Sequence, residues 1–186
     1  QTDDSQFEVG RNVATTPGTV IHENGYFQLI EYKPAGATVR EVPLLIVPPC
    51  INKFYILDLQ PDNSLVRYAL EQGQRVFLVS WRNPDESMAR ATWDDYIEHA
   101  VIEALRVSRE VADVPAINTL GFCVGGTMLA TALAVLAARG DQAAASLTLL
   151  TTFLDFAETG ILDVFVDEAM VQMREASIGA SSAAGG

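Results

Sequence analysis

This sequence predicts an α/β fold built on a mostly parallel, doubly wound sheet. Three observations predict it. Short, fully apolar runs read as strands covered on both faces. Longer segments between them carry apolar residues at helical spacing. The two kinds of segment alternate regularly after a single β-hairpin.

The hairpin comes first. Val20-Ile21-His22 and Tyr26 to Tyr32 flank Glu23-Asn24-Gly25, and Asn-Gly between β-rich runs is a strong turn signal. Leu44-Leu45-Ile46-Val47 is the first buried parallel strand, followed by a stiff loop, Pro48-Pro49-Cys50-Ile51-Asn52-Lys53. Asn63 to Gln72 reads as a helix closed by Gly73, with Leu65, Val66, Ala69 and Leu70 on one stripe. Arg75 to Ser80 is the next strand. Thr92 caps a long helix to about Ala112, with Asp94 and Asp95 in its first turn and a core face of Ile97, Val101, Ile102, Leu105 and Val107. A strand over Ile117 to Leu120 leads through a glycine-rich turn into an apolar helix, Thr127 to Ala138, closed by Arg139 and Gly140. Ser146 to Leu150 is the last expected strand, and Leu162 to Arg174 a last expected helix. The order is a hairpin followed by βαβαβαβ.

Composition narrows the class. Half the chain is apolar and a fifth charged, ordinary globular usage. A net charge of -12 argues against nucleic acid, which needs clustered Lys and Arg. No stretch suits a membrane span, and the acidic start, Gln1-Thr2-Asp3-Asp4, is unlike a signal peptide. Two cysteines, Cys50 and Cys123, are too few for a disulfide framework and suit a reducing cytosol. No metal site and no cofactor is expected.

The chemistry concentrates at Gly121-Phe122-Cys123-Val124-Gly125-Gly126. This is the Gly-x-nucleophile-x-Gly pattern of a nucleophile elbow, with cysteine where lipases carry serine. The turn from strand to helix is so sharp that residues two before and two after the nucleophile must be small, which Gly121 and Gly125 are. The sulfur then stands at a helix N-terminus, which favours thiolate over thiol.

Ligands on doubly wound sheets bind beyond the carboxyl ends of the strands. Cys123 and the Pro48 to Lys53 loop both lie at such ends, so they are expected to face one crevice, in the layout of an α/β-hydrolase. An oxyanion hole there uses the backbone N–H after the nucleophile and one from an earlier strand-to-helix loop. Those are Val124 and, because the two prolines have no N–H, Ile51 as the candidate after Cys50. Cys50 itself reads either as a second functional thiol or as a small buried thiol in a rigid turn. Asp58, Trp81 and the Arg82-Asn83-Pro84 loop also fall near strand ends; they are candidates to line the site, with turn and capping chemistry as the plainer reading. Phe122, Phe54, Tyr55 and Trp81 suggest an apolar crevice that is covered in the intact enzyme.

The base is missing. In the hydrolase order an Asp or Glu and then a His follow the nucleophile. The only histidines, His22 and His99, both precede Cys123. The chain is therefore expected to be the N-terminal and central part of one α/β-hydrolase domain, residues 1–186. It would stop after the nucleophile half, lack the catalytic Asp and His, and carry 178–186 as a loop or tail.

Several blocks together resemble the polyhydroxyalkanoate synthases, class I, short-chain type. They are Phe7-Glu8-Val9-Gly10-Arg11-Asn12, the run from Pro48 through Leu59, Val79-Ser80-Trp81-Arg82-Asn83-Pro84, Thr92-Trp93-Asp94-Asp95-Tyr96 and the lipase-like box Leu120 to Thr127. Leu154-Asp155-Phe156 with Asp163-Val164-Phe165 matches as well. The resemblance implies an α/β-hydrolase fold that polymerises (R)-3-hydroxyacyl-CoA, typically 3-hydroxybutyryl-CoA, with release of CoA. It places the nucleophile at Cys123 and the oxyanion donors at Val124 and Ile51. It also implies a cytoplasmic homodimer at the surface of storage granules, acting on a growing polyester chain. Two other readings stand beside it: a different cysteine α/β-hydrolase, such as a dienelactone-hydrolase-like enzyme, and a non-catalytic scaffold of the same fold.

Overall fold

The computed structural model describes residues 6–160, 171–173 and 176. The chain forms two compact units, 1–153 and 154–186. All named strands and helices lie in the first. In the second, only 171–173 of the expected 162–174 helix are described, and they are helical. The remainder of that helix and the 178–186 tail lie outside the described residues.

The hairpin forms as expected. β1 (Gly18–Glu23) pairs antiparallel with β2 (Phe27–Tyr32). Asn24 holds the turn, its side-chain oxygen accepting from the N–H groups of Tyr26 and Phe27. β3 (Leu44–Val47), β6 (Val76–Trp81), β7 (Ile117–Phe122) and β8 (Ala144–Leu150) are parallel to one another, and the six strands run in the order β1-β2-β6-β3-β7-β8. Only the β2 side is antiparallel.

Between β3 and β6 the chain departs from expectation. A 3-10 turn (Phe54–Leu57) leads into two short strands, β4 (Asp58–Gln60) and β5 (Asn63–Ser64), paired antiparallel. The helix expected from Asn63 therefore starts at Leu65: α1 is Leu65–Glu71. The reason is local. Ser64 keeps extended backbone, and its hydroxyl accepts from the Arg67 N–H, which makes it the N-cap. Gly73, at φ +79°, stops the helix.

The long helix also has a break that the sequence pattern does not show. α2 (Trp93–Tyr96) begins in a capping box between Thr92 and Asp95, passes through a π-helical stretch, Ile97–Ile102, and continues as α3 (Glu103–Ala112). α4 (Val124–Ala138) follows the elbow, and Gly140, at φ +81°, closes it.

Strand alternation sorts the core into two layers. Leu45, Val47, Phe77, Val79 and Trp81 point to the face covered by the α2–α3 helix and α4. Ile46, Val76, Leu78 and Tyr32 point to the other face, under Val66, Ala69 and Leu70 of α1. Nearly all of these side chains are fully buried, each contributing roughly 1.5–3 kcal/mol if apolar. The winding reverses at β3 and β7. The connection after β3 leads to β6 on one side, and the connection after β7 leads to β8 on the other. A crevice at that switch point is where this fold class takes ligands.

Candidate active site

Both cysteines leave the sheet at this switch point. β3 and β7 are neighbours with Val47 opposite Gly121, so the Pro48–Lys53 loop and the elbow start side by side. Cys123 has φ 54° and ψ -130°, a conformation that costs a non-glycine residue on the order of 1–3 kcal/mol. The surroundings hold it there. The Cys123 N–H donates to the Leu150 carbonyl (2.9 Å), and the Cys123 carbonyl accepts from Gly126 N–H (2.9 Å) and Thr127 N–H (3.3 Å).

The glycines are required by contact. A Cβ on Gly121 would collide with the Cα of Gly126, and one on Gly125 would lie 2.5 Å from the Pro48 carbonyl oxygen. Gly126 was not singled out by the motif, yet a Cβ there would collide with the Thr152 side chain. Thr152 belongs to the loop after β8, in which Thr151 has φ 44° and the Thr127 hydroxyl donates to the Phe153 carbonyl (2.8 Å). This third wall of the elbow carries no motif; its only trace in the sequence is that it follows the strand next to β7.

Val124 is the first residue of α4, and the opening N–H groups of a helix have no intrahelical acceptor. In the facing loop the Asn52 N–H donates to the Pro49 carbonyl (3.2 Å), closing a turn with Cys50 and Ile51 at its centre. That bond leaves the N–H groups of Cys50 and Ile51 outside the turn's own pairing. Ile51 is 80% exposed, so its side chain stands clear of the core while its backbone sits in the turn. Cys50 is half-buried against the α3–α4 layer. Burial pushes its thiol up; its own backbone N–H opposes this, and the neighbouring Cys123 adds a smaller push upward.

Trp81 and Asp58 sit differently from open site-lining groups. Trp81 is 8% exposed, packed near Tyr96 (ring centroids 5.8 Å apart), and its indole Nε1–H donates to the Pro48 carbonyl (2.8 Å). Tyr96 in turn packs edge-on to Tyr26, and burial, then Cys50 and Tyr26, raise its phenol. Asp58 lies 1% exposed beside Tyr32, on the α1 side of the sheet. Its Oδ1 accepts from the hydroxyls of Thr16 (2.5 Å) and Ser64 (2.6 Å). The local-pairing reading therefore describes it, and the site-lining one does not. Phe54 and Tyr55 are half-buried in the 3-10 turn after the loop, and Phe122 is half-buried at the end of β7.

The two histidines are engaged elsewhere. His22 lies on the edge strand β1, its Nε2 3.4 Å from Glu103. His99 stacks on Tyr26 and faces Asp95 at 3.9 Å. Among the described residues no group of three or more His, Cys, Asp or Glu is placed to hold a metal ion. No helix there is long and apolar enough to cross a membrane.

A turn that presents backbone N–H groups beside a strained thiol at a helix N-terminus can hold an anionic oxygen next to a nucleophile. Residues 43–180 match the sequence profile of the alpha/beta hydrolase fold. The chain belongs to the alpha/beta hydrolase family. Residues 1–69 also match the N-terminus of poly-beta-hydroxybutyrate polymerase (PhaC). The chain is 67% identical over 184 residues to the poly(3-hydroxyalkanoate) polymerase subunit PhaC of Cupriavidus necator, covering 99% of this chain and 31% of that protein. It is 45% identical over 181 residues to the corresponding subunit of Rhizobium meliloti, covering 97% of this chain and 30% of that one. The resemblance to polyhydroxyalkanoate synthases is thus borne out, over a segment spanning about a third of these relatives' length. Among solved structures an esterase rPPE variant superposes with a TM-score of 0.57 at 18% identity, over 90% of this chain and 50% of that one. At that identity it supports the alpha/beta hydrolase fold alone.

Proposed function

We propose that this segment carries the nucleophile and oxyanion half of a polyhydroxyalkanoate polymerase. The observation that carries the reading is Cys123, held at positive φ between β7 and α4 beside the Pro48–Lys53 loop, in a chain 67% identical to a named polymerase. Cys123 Sγ attacks the carbonyl carbon of an (R)-3-hydroxyacyl-CoA, with 3-hydroxybutyryl-CoA the first substrate to test. The new S–C bond forms as the carbonyl becomes an oxyanion, held by the N–H groups of Val124 and Ile51. The C–S bond to CoA then breaks, and the proton lost by Cys123 ends on the departing CoA thiol. The exchange swaps one thioester for another and is nearly balanced in free energy. A hydroxyl of the growing polyester next attacks the acyl-enzyme, an ester bond forms, and Cys123 regains its proton. The two histidines of this sequence lie against Glu103 and Tyr26, so the general base that moves these protons is assigned to neither. No cofactor takes part.

The resemblance to the synthases further supports a cytoplasmic homodimer working at the surface of storage granules. The test is a chimera in which this segment replaces its counterpart in the Cupriavidus necator polymerase. It should release CoA from 3-hydroxybutyryl-CoA and show an acyl adduct on the Cys123 peptide by mass spectrometry. Cys123→Ala should lose both. An adduct formed at wild-type level by Cys123→Ala defeats the nucleophile assignment. A folded chimera inert toward acyl-CoA supports the scaffold reading instead. The 186 residues alone should turn over no substrate.

A further inference from the structure

The two prolines that open the β3 loop create a problem that one side chain solves. Ladder pairing between β3 and β6 ends at Ile46 opposite Leu78. Beyond it Pro48 and Pro49 are buried and have no N–H to donate. The Pro48 carbonyl is pressed against Gly125, so it is shut off from water on the elbow side. A buried carbonyl without a partner costs on the order of 1–3 kcal/mol. The indole N–H of Trp81, from the last residue of β6, supplies that partner at 2.8 Å.

The bond also does something geometric. Both proline rings fix φ, and a residue before proline is held to extended ψ. The remaining freedom is mainly the tilt of the Pro48–Pro49 peptide plane. Trp81 fixes that plane from one side and Gly125 bounds it from the other. From there Pro49 passes the orientation on through its carbonyl, which accepts from Asn52 and sets the turn presenting the Cys50 and Ile51 N–H groups. Trp81 itself is held in place, because it is buried in the core cluster that also contains Phe27, Ile97 and Val101 and it packs near Tyr96.

We propose that Trp81 is a positioning residue for acyl transfer: its indole N–H, through the Pro48 carbonyl, aims the Cys50–Ile51 turn at the carbonyl oxygen of the substrate bound to Cys123. This rests on the reading of Cys123 as the nucleophile and of the turn as an oxyanion donor. Trp81 touches neither substrate nor sulfur in this role, so its loss slows the step that builds an oxyanion and spares the reactivity of the thiol.

The experiment uses the chimeric polymerase with Trp81→Phe, and with benzothienylalanine at position 81, which keeps the indole shape but puts sulfur where Nε1–H stood. Two rates are compared at Cys123. One is single-turnover acylation by 3-hydroxybutyryl-CoA, followed by rapid quench. The other is alkylation by iodoacetamide, a displacement at a methylene carbon with iodide leaving and no oxyanion formed. The expected result is acylation slowed by about tenfold or more in both variants, with half-saturation and alkylation within about twofold of wild type. The benzothienyl variant keeps the packing if the phenylalanine variant folds poorly. Acylation within about twofold of wild type in the benzothienyl variant overturns the proposal, as does a parallel fall of acylation and alkylation, which marks general damage. If Cys123→Ala still forms the adduct, the nucleophile reading has failed; if it does not and the Trp81 variants acylate normally, only the role of Trp81 has.

Discussion

The carbonyl oxygen of Pro48 lies 2.5 Å from where a Cβ on Gly125 would stand. Strand β3 and helix α4 thus meet backbone to backbone, at a distance that no other residue type at position 125 allows. The site owes its compactness to this approach.

Gly125→Ala should therefore be among the most damaging changes in the chain. The added methyl meets the Val47 and Pro48 carbonyls, which are held by the sheet and by Trp81 and cannot step aside. A loss at or above the top of the roughly 1–3 kcal/mol range for overpacking is expected, read as a lowered Tm of the chimera.

Gly126→Ala meets only the Thr152 side chain at the closest range, and that side chain can be removed. The single change should lower Tm and slow acylation. Combining it with Thr152→Ala should restore part of both, because the nearest remaining Thr152 atom, Cβ, sits at 3.0 Å. A double-mutant cycle should show a coupling of about 0.5–3 kcal/mol; strict additivity would disprove the contact.

Burial holds the Cys50 thiol above its ordinary value of 9.0. A raised folded-state value means that the neutral thiol's contribution to stability is complete below the unfolded-state value and is lost as pH rises through the folded-state one. Stability should decline at alkaline pH, and Cys50→Ala should remove that component. Peptide mapping after iodoacetamide should show Cys50 reacting at a more alkaline pH in the folded protein than in urea.

Asp58 ties three separate stretches together through the hydroxyls of Thr16 and Ser64. Its Oδ2 and the Tyr32 hydroxyl are buried without a partner, and burial, then Asp58 itself, drive the Tyr32 phenol far up. Asp58→Ala should cost on the order of 1–3 kcal/mol, by stranding two hydroxyls, and should open the stretch around Thr16 to protease first. Limited proteolysis with mass mapping checks the order of cleavage.

The readable parts of the sequence were those in which the backbone dictates the residue. Gly121, Cys123 and Gly125 encode a turn that few residues can make; Asn24-Gly25 encodes a hairpin; Leu44 to Val47 encodes a strand covered on both faces. The rest depends on partners far along the chain. Trp81 bonds Pro48 across 33 residues and Asp58 bonds Thr16 across 42, and nothing in the local pattern around either residue announces the other. The π stretch at Ile97–Ile102 has helical spacing like any other, and β5 hid in what looked like the first turn of α1. Thr152 was invisible for a similar reason, because it matters only through Gly126.

Val47 stands opposite Gly121 in adjacent parallel strands, and both loops that build the site spring from that rung. Neighbouring strands are fixed about 4.8 Å apart by their hydrogen bonds. The gap between the two loops at their roots is thus a repeat distance of the sheet itself, not a result of side-chain choice. Sequence can drift in either loop while the gauge between them stays constant, because the ruler is the backbone.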